Sequence, residues 1–322
     1  MLGNLLSKAG YLQKEHMINE HNSEWMGYPV KPFVPEETVS DYKNTLYRIG
    51  VNWDDNRSLV DLLACFLENP ASVDTPGIIL GSFGESDTDP TPAVEALVAA
   101  RSRLPHLKGL FIGDIISEEN EISWIQQTDL SALFGAFPAL EYFRARGGNG
   151  LVLGRISHGN LRSLTIESGG LPRGVIRDVL ASSLPALEHL EIWPGTEDYG
   201  WDGSLEDFRP LFEAPLFPNL RYLGLRNSTI SDELAAAFGS AAVFENLHIL
   251  DLSLGTLSDE GAARLLESPT VKLLKGLDLH HHYLSEGMMA KILESFPFAN
   301  VDDVETPDDW DGESHRYVAV SE

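Results

Sequence analysis

The residues with the clearest claim to chemistry are Asp278 and the run His280-His281-His282 that follows it. In an extended segment alternate side chains share a face, so Asp278, His280 and His282 would point one way. Two imidazoles and a carboxylate can bind zinc or another divalent ion. Consecutive histidines rarely all reach one metal, however, and no remote fourth ligand is identifiable. Hydrogen bonding to the turn after a strand is therefore the stronger reading, and no cofactor is expected. Asp251 occupies the same position as Asp278 one repeat earlier, and would complete a metal or acid–base cluster with Asp278 and His280. Other catalytic signatures are missing: there is no Gly-x-Ser-x-Gly elbow, phosphate-binding loop, His-Glu-x-x-His helix or paired-cysteine motif. The clusters Gly147-Gly148-Asn149-Gly150 and Gly169-Gly170 follow predicted strands, where a turn needs φ > 0.

Binding chemistry is the better prospect. Arg, Trp and Tyr dominate interface hot spots, and Arg144, Arg146, Arg226, Trp193, Tyr142 and Tyr222 carry a common register once the elements that hold them are found. Those elements are repeats. The pattern Leu-x-x-Leu-x-Leu reads Leu107-Leu110-Ile112, Leu140-Phe143-Ala145, Leu161-Leu164-Ile166, Leu187-Leu190-Ile192, Leu220-Leu223-Leu225, Leu247-Leu250-Leu252 and Leu274-Leu277-Leu279, with a weaker copy at Ile78-Leu80. From Leu80 to Leu279 the third position recurs at steps of 32, 33, 21, 26, 33, 27 and 27 residues. Chance does not supply this.

The last two apolar positions of each triplet share one face of a strand. Between triplets run helical segments such as 232–238 and 259–266, with Ser231 and Ser258 expected as N-caps and acids in the first turn. Pro105, Pro138, Pro185 and Pro218 end the preceding helix and force an extended entry into the next strand. One strand and one helix cannot bury their apolar faces alone, so the copies must stack. The expected fold is α/β: a right-handed solenoid, or horseshoe, with parallel strands on the concave face and helices on the convex face.

The segments Leu250-Asp251-Leu252 through Ser258-Asp259-Glu260-Gly261 and Leu277-Asp278-Leu279 through Ser285-Glu286-Gly287 resemble leucine-rich-repeat proteins of the ribonuclease-inhibitor-like subtype. Where that subtype commonly has Asn shortly after the strand, this chain has Gly255 and His282, so irregular turns are expected. The resemblance covers roughly residues 76–300. More narrowly, Gly169-Gly170-Leu171-Pro172, Trp193, His280-His281-His282-Tyr283 and residues 316–322 resemble bacterial cytoplasmic leucine-rich-repeat proteins without assigned activity. The resemblance implies a concave partner-binding face. The column between the last two apolar residues reads Ile79, Phe111, Arg144, Thr165, Glu191, Gly224, Asp251 and Asp278. Two residues on stand Arg146, Glu167, Trp193, Arg226, Ser253 and His280. The expected site is a mixed-charge groove of Tyr142, Arg144, Arg146, Glu167, Glu191, Trp193, Tyr222, Arg226, Asp251, Asp278 and His280, weighed against a merely solvated strand face. Longer steps mark insertions at 114–129 and 194–204, whose Trp124, Tyr199 and Trp201 either contact a partner on the rim or tuck back over it.

Lys plus Arg number 23 and Asp plus Glu 49, for a net charge of −26. That charge repels phosphate backbones and argues against a nucleic-acid role. No stretch approaches the roughly 20 apolar residues of a membrane helix, and the start of the chain does not read as a signal peptide, so a cytoplasmic protein is expected. The single cysteine, Cys65, lies in an apolar run and reads as a buried thiol. Residues 1–75 lack the repeat: the first forty or so are expected to be partly disordered, 47–53 to form a strand and 58–67 a helix that caps the array. Residues 301–322 read as an acidic segment followed by a closing strand over 316–320. The function expected is a monomeric, non-enzymatic scaffold binding a protein or peptide. The alternatives are a metal-dependent enzyme or accessory built on Asp251, Asp278 and His280, or a regulatory inhibitor of a basic target.

Overall fold

A strand that sets two leucine-like side chains on one face gains roughly 1.5–3 kcal/mol for each one it buries, and only a neighbour of the same pattern supplies the cover. The computed structural model describes residues 18–37, 39, 41–52, 56–240, 246–310 and 312–322. Strands β1 (Glu24–Trp25), β2 (Tyr28–Pro32), β3 (Leu46–Ile49), β4 (Gly77–Leu80), β5 (Gly109–Ile112), β6 (Tyr142–Arg146), β7 (Ser163–Glu167), β8 (His189–Ile192), β9 (Tyr222–Leu225), β10 (Ile249–Asp251), β11 (Gly276–Asp278) and β12 (Ala299–Asn300) join side by side in chain order. Every pairing from β2 to β12 is parallel, and β1 turns back antiparallel on β2.

The register is the one the apolar spacing dictates. Leu80, Ile112, Ala145, Ile166, Ile192 and Leu225 stand opposite one another, all fully buried. Behind this sheet face lie helices α1 (Leu59–Glu68), α2 (Thr91–Ala99), α3 (Ser131–Ala136), α4 (Arg173–Leu180), α5 (Leu205–Glu213), α6 (Ser231–Ser240), α7 (Asp259–Glu267) and α8 (Glu286–Ser295), and one continuous apolar core fills the space between. The strand expected over 47–53 is β3, and Trp53 lies outside the described residues. Helix α1 begins as expected, with Ser58 and Asp61 forming a capping box. Cys65 on that helix is half-buried rather than buried, because Leu62, Leu63, Phe66 and Leu67 take the inward face.

The Ser-Asp pairs that open the helices have a mechanical meaning. Asp232 accepts from Ser258 N (2.8 Å) and Ser258 Oγ (2.7 Å), and Asp259 accepts from Ser285 N (2.8 Å) and Oγ (2.7 Å). Each helix start therefore ties down the next repeat. A Cβ at Gly261 would lie 2.5 Å from Asp232 Oδ1, which excludes a side chain there. Ser258 caps α7 as expected. Ser231 does not cap α6: it is the first helical residue, and its hydroxyl donates to Ser228 O at 2.7 Å. The turns after the strands are also more regular than expected. Asn227, Leu254 and His281, spaced 27 residues apart, all adopt left-handed φ (51°, 64° and 56°), so the repeating turn position lies one residue before Gly255 and His282.

The expectation of partial disorder over the first forty or so residues falls partly on 1–17, which lie outside the described residues; 18–33 include strands β1 and β2. Met26 and Gly27, with φ of 56° and 79°, make the two-residue turn that joins β1 to β2. Trp25, Tyr28 and Val30 pack on Leu46, Ile79 and Phe111 on the sheet face opposite the core. The tip fits because Gly109 has no side chain: a Cβ there would fall 2.0 Å from Met26 Sδ and 3.0 Å from the Trp25 ring. Gly109→Val is expected to lift this hairpin and leave the sheet intact. Limited proteolysis should then cut within residues 18–32, whereas a Gly159→Ala control, with nothing near its Cβ, should resist. Equal resistance would contradict the packing.

At the other end, β13 (Asp308–Trp310) and β14 (Glu313–His315) form a small separate hairpin. Residues 316–320 are not a strand. They belong to a strap that runs back along the rim formed by the turns after the strands. The three left-handed turn residues meet it in succession: His281 Nε2 faces Tyr317 O at 3.4 Å, Leu254 O accepts from Ala319 N at 2.9 Å, and Asn227 Oδ1 accepts from Val320 N at 2.9 Å.

Candidate binding surface

The sheet face opposite the core carries three columns of side chains. Strand register places Phe111, Arg144, Thr165, Glu191 and Gly224 in line, then Gly224, Asp251, Asp278 and Asn300. Tyr142, Ser163, His189, Tyr222, Ile249 and Gly276 form the column before it, and Arg146 and Glu167 pair in the column after. The columns read from the apolar spacing are therefore physical ones.

Their charges are committed to one another. Glu167 pairs with Arg144 and with Arg146 Nε (2.7 Å), and Arg146 Nη1 also donates to Ile115 O at 2.7 Å. Arg146 and Glu167 are each 2% exposed. Burial alone would raise the Glu167 carboxyl, but the two guanidiniums beside it reverse that and hold it below the usual range. Further along, Arg226 spans Glu191 Oε1 (3.0 Å) and Asp251 Oδ2 (3.4 Å) and donates to Ser253 Oγ (2.9 Å). Glu191 also accepts from Trp193 Nε1 (2.7 Å) and lies 3.4 Å from His189 Nε2, and its carboxyl too is held well below the usual range against the cost of burial. Tyr222 donates to Asp251 at 2.7 Å and stacks on His189. Burial nevertheless leaves the Asp251 carboxyl above its ordinary value, outweighing Arg226. Arg144 and Arg146 lie over the Phe111 ring, and Arg226 over Trp193.

Several expected anchors are therefore not open to a partner. Trp193 and Tyr222 are buried, the former under Ile122, Leu254 and Val320. Trp201 tucks back against Phe208 and is 2% exposed. Tyr199, on the same insertion, donates its hydroxyl to Glu322 at the end of the strap. Trp124 is 59% exposed and is the rim aromatic that does face solvent. On the concave face Tyr142, Arg144, Ser163, Ile249, Gly276 and Asp278 keep part of their surface.

The histidine run divides three ways. His280 Nδ1 pairs with Asp278 Oδ1 at 2.8 Å on the concave side. His282 is fully buried, bonded to Val301 O (3.0 Å) and Leu284 N (3.1 Å), and burial lowers its pKa. The set Asp278, His280, His282 is thus corrected: the left-handed turn at His281 breaks the strand alternation that would have aligned them. His281 instead faces Asp303 and Glu305, the one group of three His, Cys, Asp or Glu residues among the described ones with ligand atoms within 4.8 Å of each other. The strap was missed in the sequence. Its signal was Val318-Ala319-Val320, apolar residues placed after an acidic run where a solvated tail would be polar.

Parallel strands laid down in chain order, helices on one face and a polar face opposite define a leucine-rich-repeat solenoid. No family model and no curated protein matches the chain. A protein from Bacteroides fragilis, solved by crystallography in a structural genomics programme, is 36% identical with a TM-score of 0.75, covering 80% of this chain and 74% of that one. The chain belongs to the same family as that protein. An internalin from Listeria monocytogenes (15% identity, 81% of this chain and 67% of that one, TM-score 0.41) and a leucine-rich-repeat protein from Leptospira interrogans (13%, 74% and 98%, TM-score 0.20) superpose too loosely to add to this. No helix among the described residues is long and apolar enough to cross a membrane.

Proposed function

We propose that the chain is a non-enzymatic scaffold that binds a protein or peptide on the part of its concave face from β6 to β11. The observation that carries this reading is the set of partly exposed side chains Tyr142, Arg144, Ser163, Ile249 and Asp278, held in place by a buried layer of cross-strand charge pairs from Glu167 to Asp251. Side chains fixed by one another lose little freedom on binding, and such preorganisation is what an interface needs. A catalytic cluster of Asp251, Asp278 and His280 is less favoured: Asp251 is taken by Tyr222 and Arg226, and Asp278 by His280 and Asn300.

Reversing Arg144 or Arg226 would set a carboxylate against Glu167 or Glu191 and test stability rather than recognition. Ser163→Arg is the cleaner probe, since Ser163 is half-buried beside Tyr142, which also keeps part of its surface. A partner retained at one-to-one stoichiometry by the wild-type chain, and identified by mass spectrometry, is expected to bind Ser163→Arg at least tenfold more weakly. Arg209→Ala, at an exposed position of α5, should bind it as the wild type does. Unchanged affinity for Ser163→Arg would rule out this surface.

A further inference from the structure

The geometry points to a divalent transition-metal site, zinc foremost, formed by His281 Nδ1, Asp303 and Glu305 at the end of the array where the strap begins. His281 Nδ1 lies 3.5 Å from Asp303 Oδ2 and 3.6 Å from Glu305 Oε1. Those separations match two ligands on one ion: bonds of about 2.0–2.2 Å at a tetrahedral angle set ligand atoms about 3.4 Å apart.

Two further features fit. The other ring nitrogen, Nε2, faces the Tyr317 carbonyl at 3.4 Å. A carbonyl only accepts, so in the neutral tautomer the ring proton faces it on Nε2, and Nδ1, on the carboxylate side, is the nitrogen placed to ligate an ion. An imidazole whose second nitrogen is oriented by a backbone carbonyl is also the usual arrangement of a metal-bound histidine. Tyr317 is itself fixed, its N–H donating to Tyr283 Oη (2.8 Å) and its carbonyl accepting from that hydroxyl (2.9 Å).

The frame is rigid before any ion arrives. His281 N donates to Asp302 O and His282 N to Asp303 O (both 3.2 Å), and Glu305 N donates to His282 O at 2.8 Å. His281 is largely buried, while Asp303 and Glu305 keep 32% and 41% of their side chains exposed, which leaves a path for the ion and room for water as a fourth ligand. A nitrogen donor selects against calcium and magnesium. The bound ion would fasten the start of the strap to the last turn of the array, a structural rather than a catalytic role.

Titration of the full chain with zinc chloride in a calorimeter tests this. Saturable one-to-one binding in the micromolar range or tighter is expected, together with a higher Tm and no comparable response to calcium or magnesium. Glu305→Gln, at a partly exposed position where misfolding is not expected, should weaken binding at least tenfold, and His281→Gln should abolish it. His280→Gln should bind as the wild type does. Absence of saturable heat from folded protein would overturn the site. So would undiminished binding by Glu305→Gln, since the ion would then sit elsewhere in the acidic segment.

Discussion

Glu167→Ala is expected to destabilise the chain by about 3–5 kcal/mol, the usual result of removing one partner of a buried ion pair. The reason is specific to this site: one carboxylate serves both Arg144 and Arg146, so its loss leaves two adjacent guanidiniums with only the longer contact of Arg146 to Asp114 (3.9 Å) as a paired countercharge. Thermal unfolding followed by circular dichroism should show Tm lowered by on the order of 5–10 °C. The same network sets an acid limit. Glu167 and Glu191 both titrate below the usual range in the folded chain, so their stabilisation is complete above about pH 4.3, the value of an unfolded Glu. It is lost as pH falls through the lower folded values. Asp251 acts in the opposite sense, since its folded value is raised and protonation relieves part of its burial. A Glu167→Gln variant should therefore begin less stable and lose less between pH 5 and pH 3 than the wild type. Parallel pH profiles for the two proteins would contradict this account.

Asn227→Ala should release the strap. The Asn227 amide donates to Val320 O (2.5 Å) and Ser168 O (3.3 Å) and accepts from Val320 N (2.9 Å), in a side chain with no exposed surface. Each buried partner left unsatisfied costs about 1–3 kcal/mol. Alanine also inherits the left-handed φ of 51°, at about 1–2 kcal/mol. Val320 regains water once the strap lifts, so the Ser168 carbonyl and the strained backbone together are expected to cost about 2–5 kcal/mol. Asn227→Gly removes the same hydrogen bonds without the backbone strain, so it should be about 1 kcal/mol more stable than the alanine variant. Because Val320 packs on Trp193, strap release should red-shift tryptophan emission and open residues 316–322 to proteolysis. If Asn227→Ala leaves emission and proteolysis unchanged, the strap is held by something other than this amide.

Much of this architecture was legible in the sequence because it is periodic. Leu80 through Leu225 stack in the register their spacing set, and the columns through Arg144, Glu191 and Asp278 followed from it. What was not legible depends on pairs with no period. Nothing near Trp25 in sequence announces Phe111, and nothing near Val320 announces Asn227. The burial of Arg146 and Trp193 followed from that gap, since a strand-face position looks exposed until the segment covering it is known. The histidine run was misread for a local reason: alternation selects His280 and His282, whereas one left-handed residue at His281 turns its ring toward Asp303 and Glu305.

A stack of repeats normally holds together only through adjacent copies, and such arrays can fray from one end while the rest stays folded. Here Val320 is bonded to Asn227 across 93 positions of chain, and Ser321 to Ser123 across 198. The rim strap thus works like the cord of a drawstring: the terminal copies cannot peel away singly without also loosening the middle. Amide protection in β9 to β11 should therefore vanish together with that of β6 to β8, in one concerted opening.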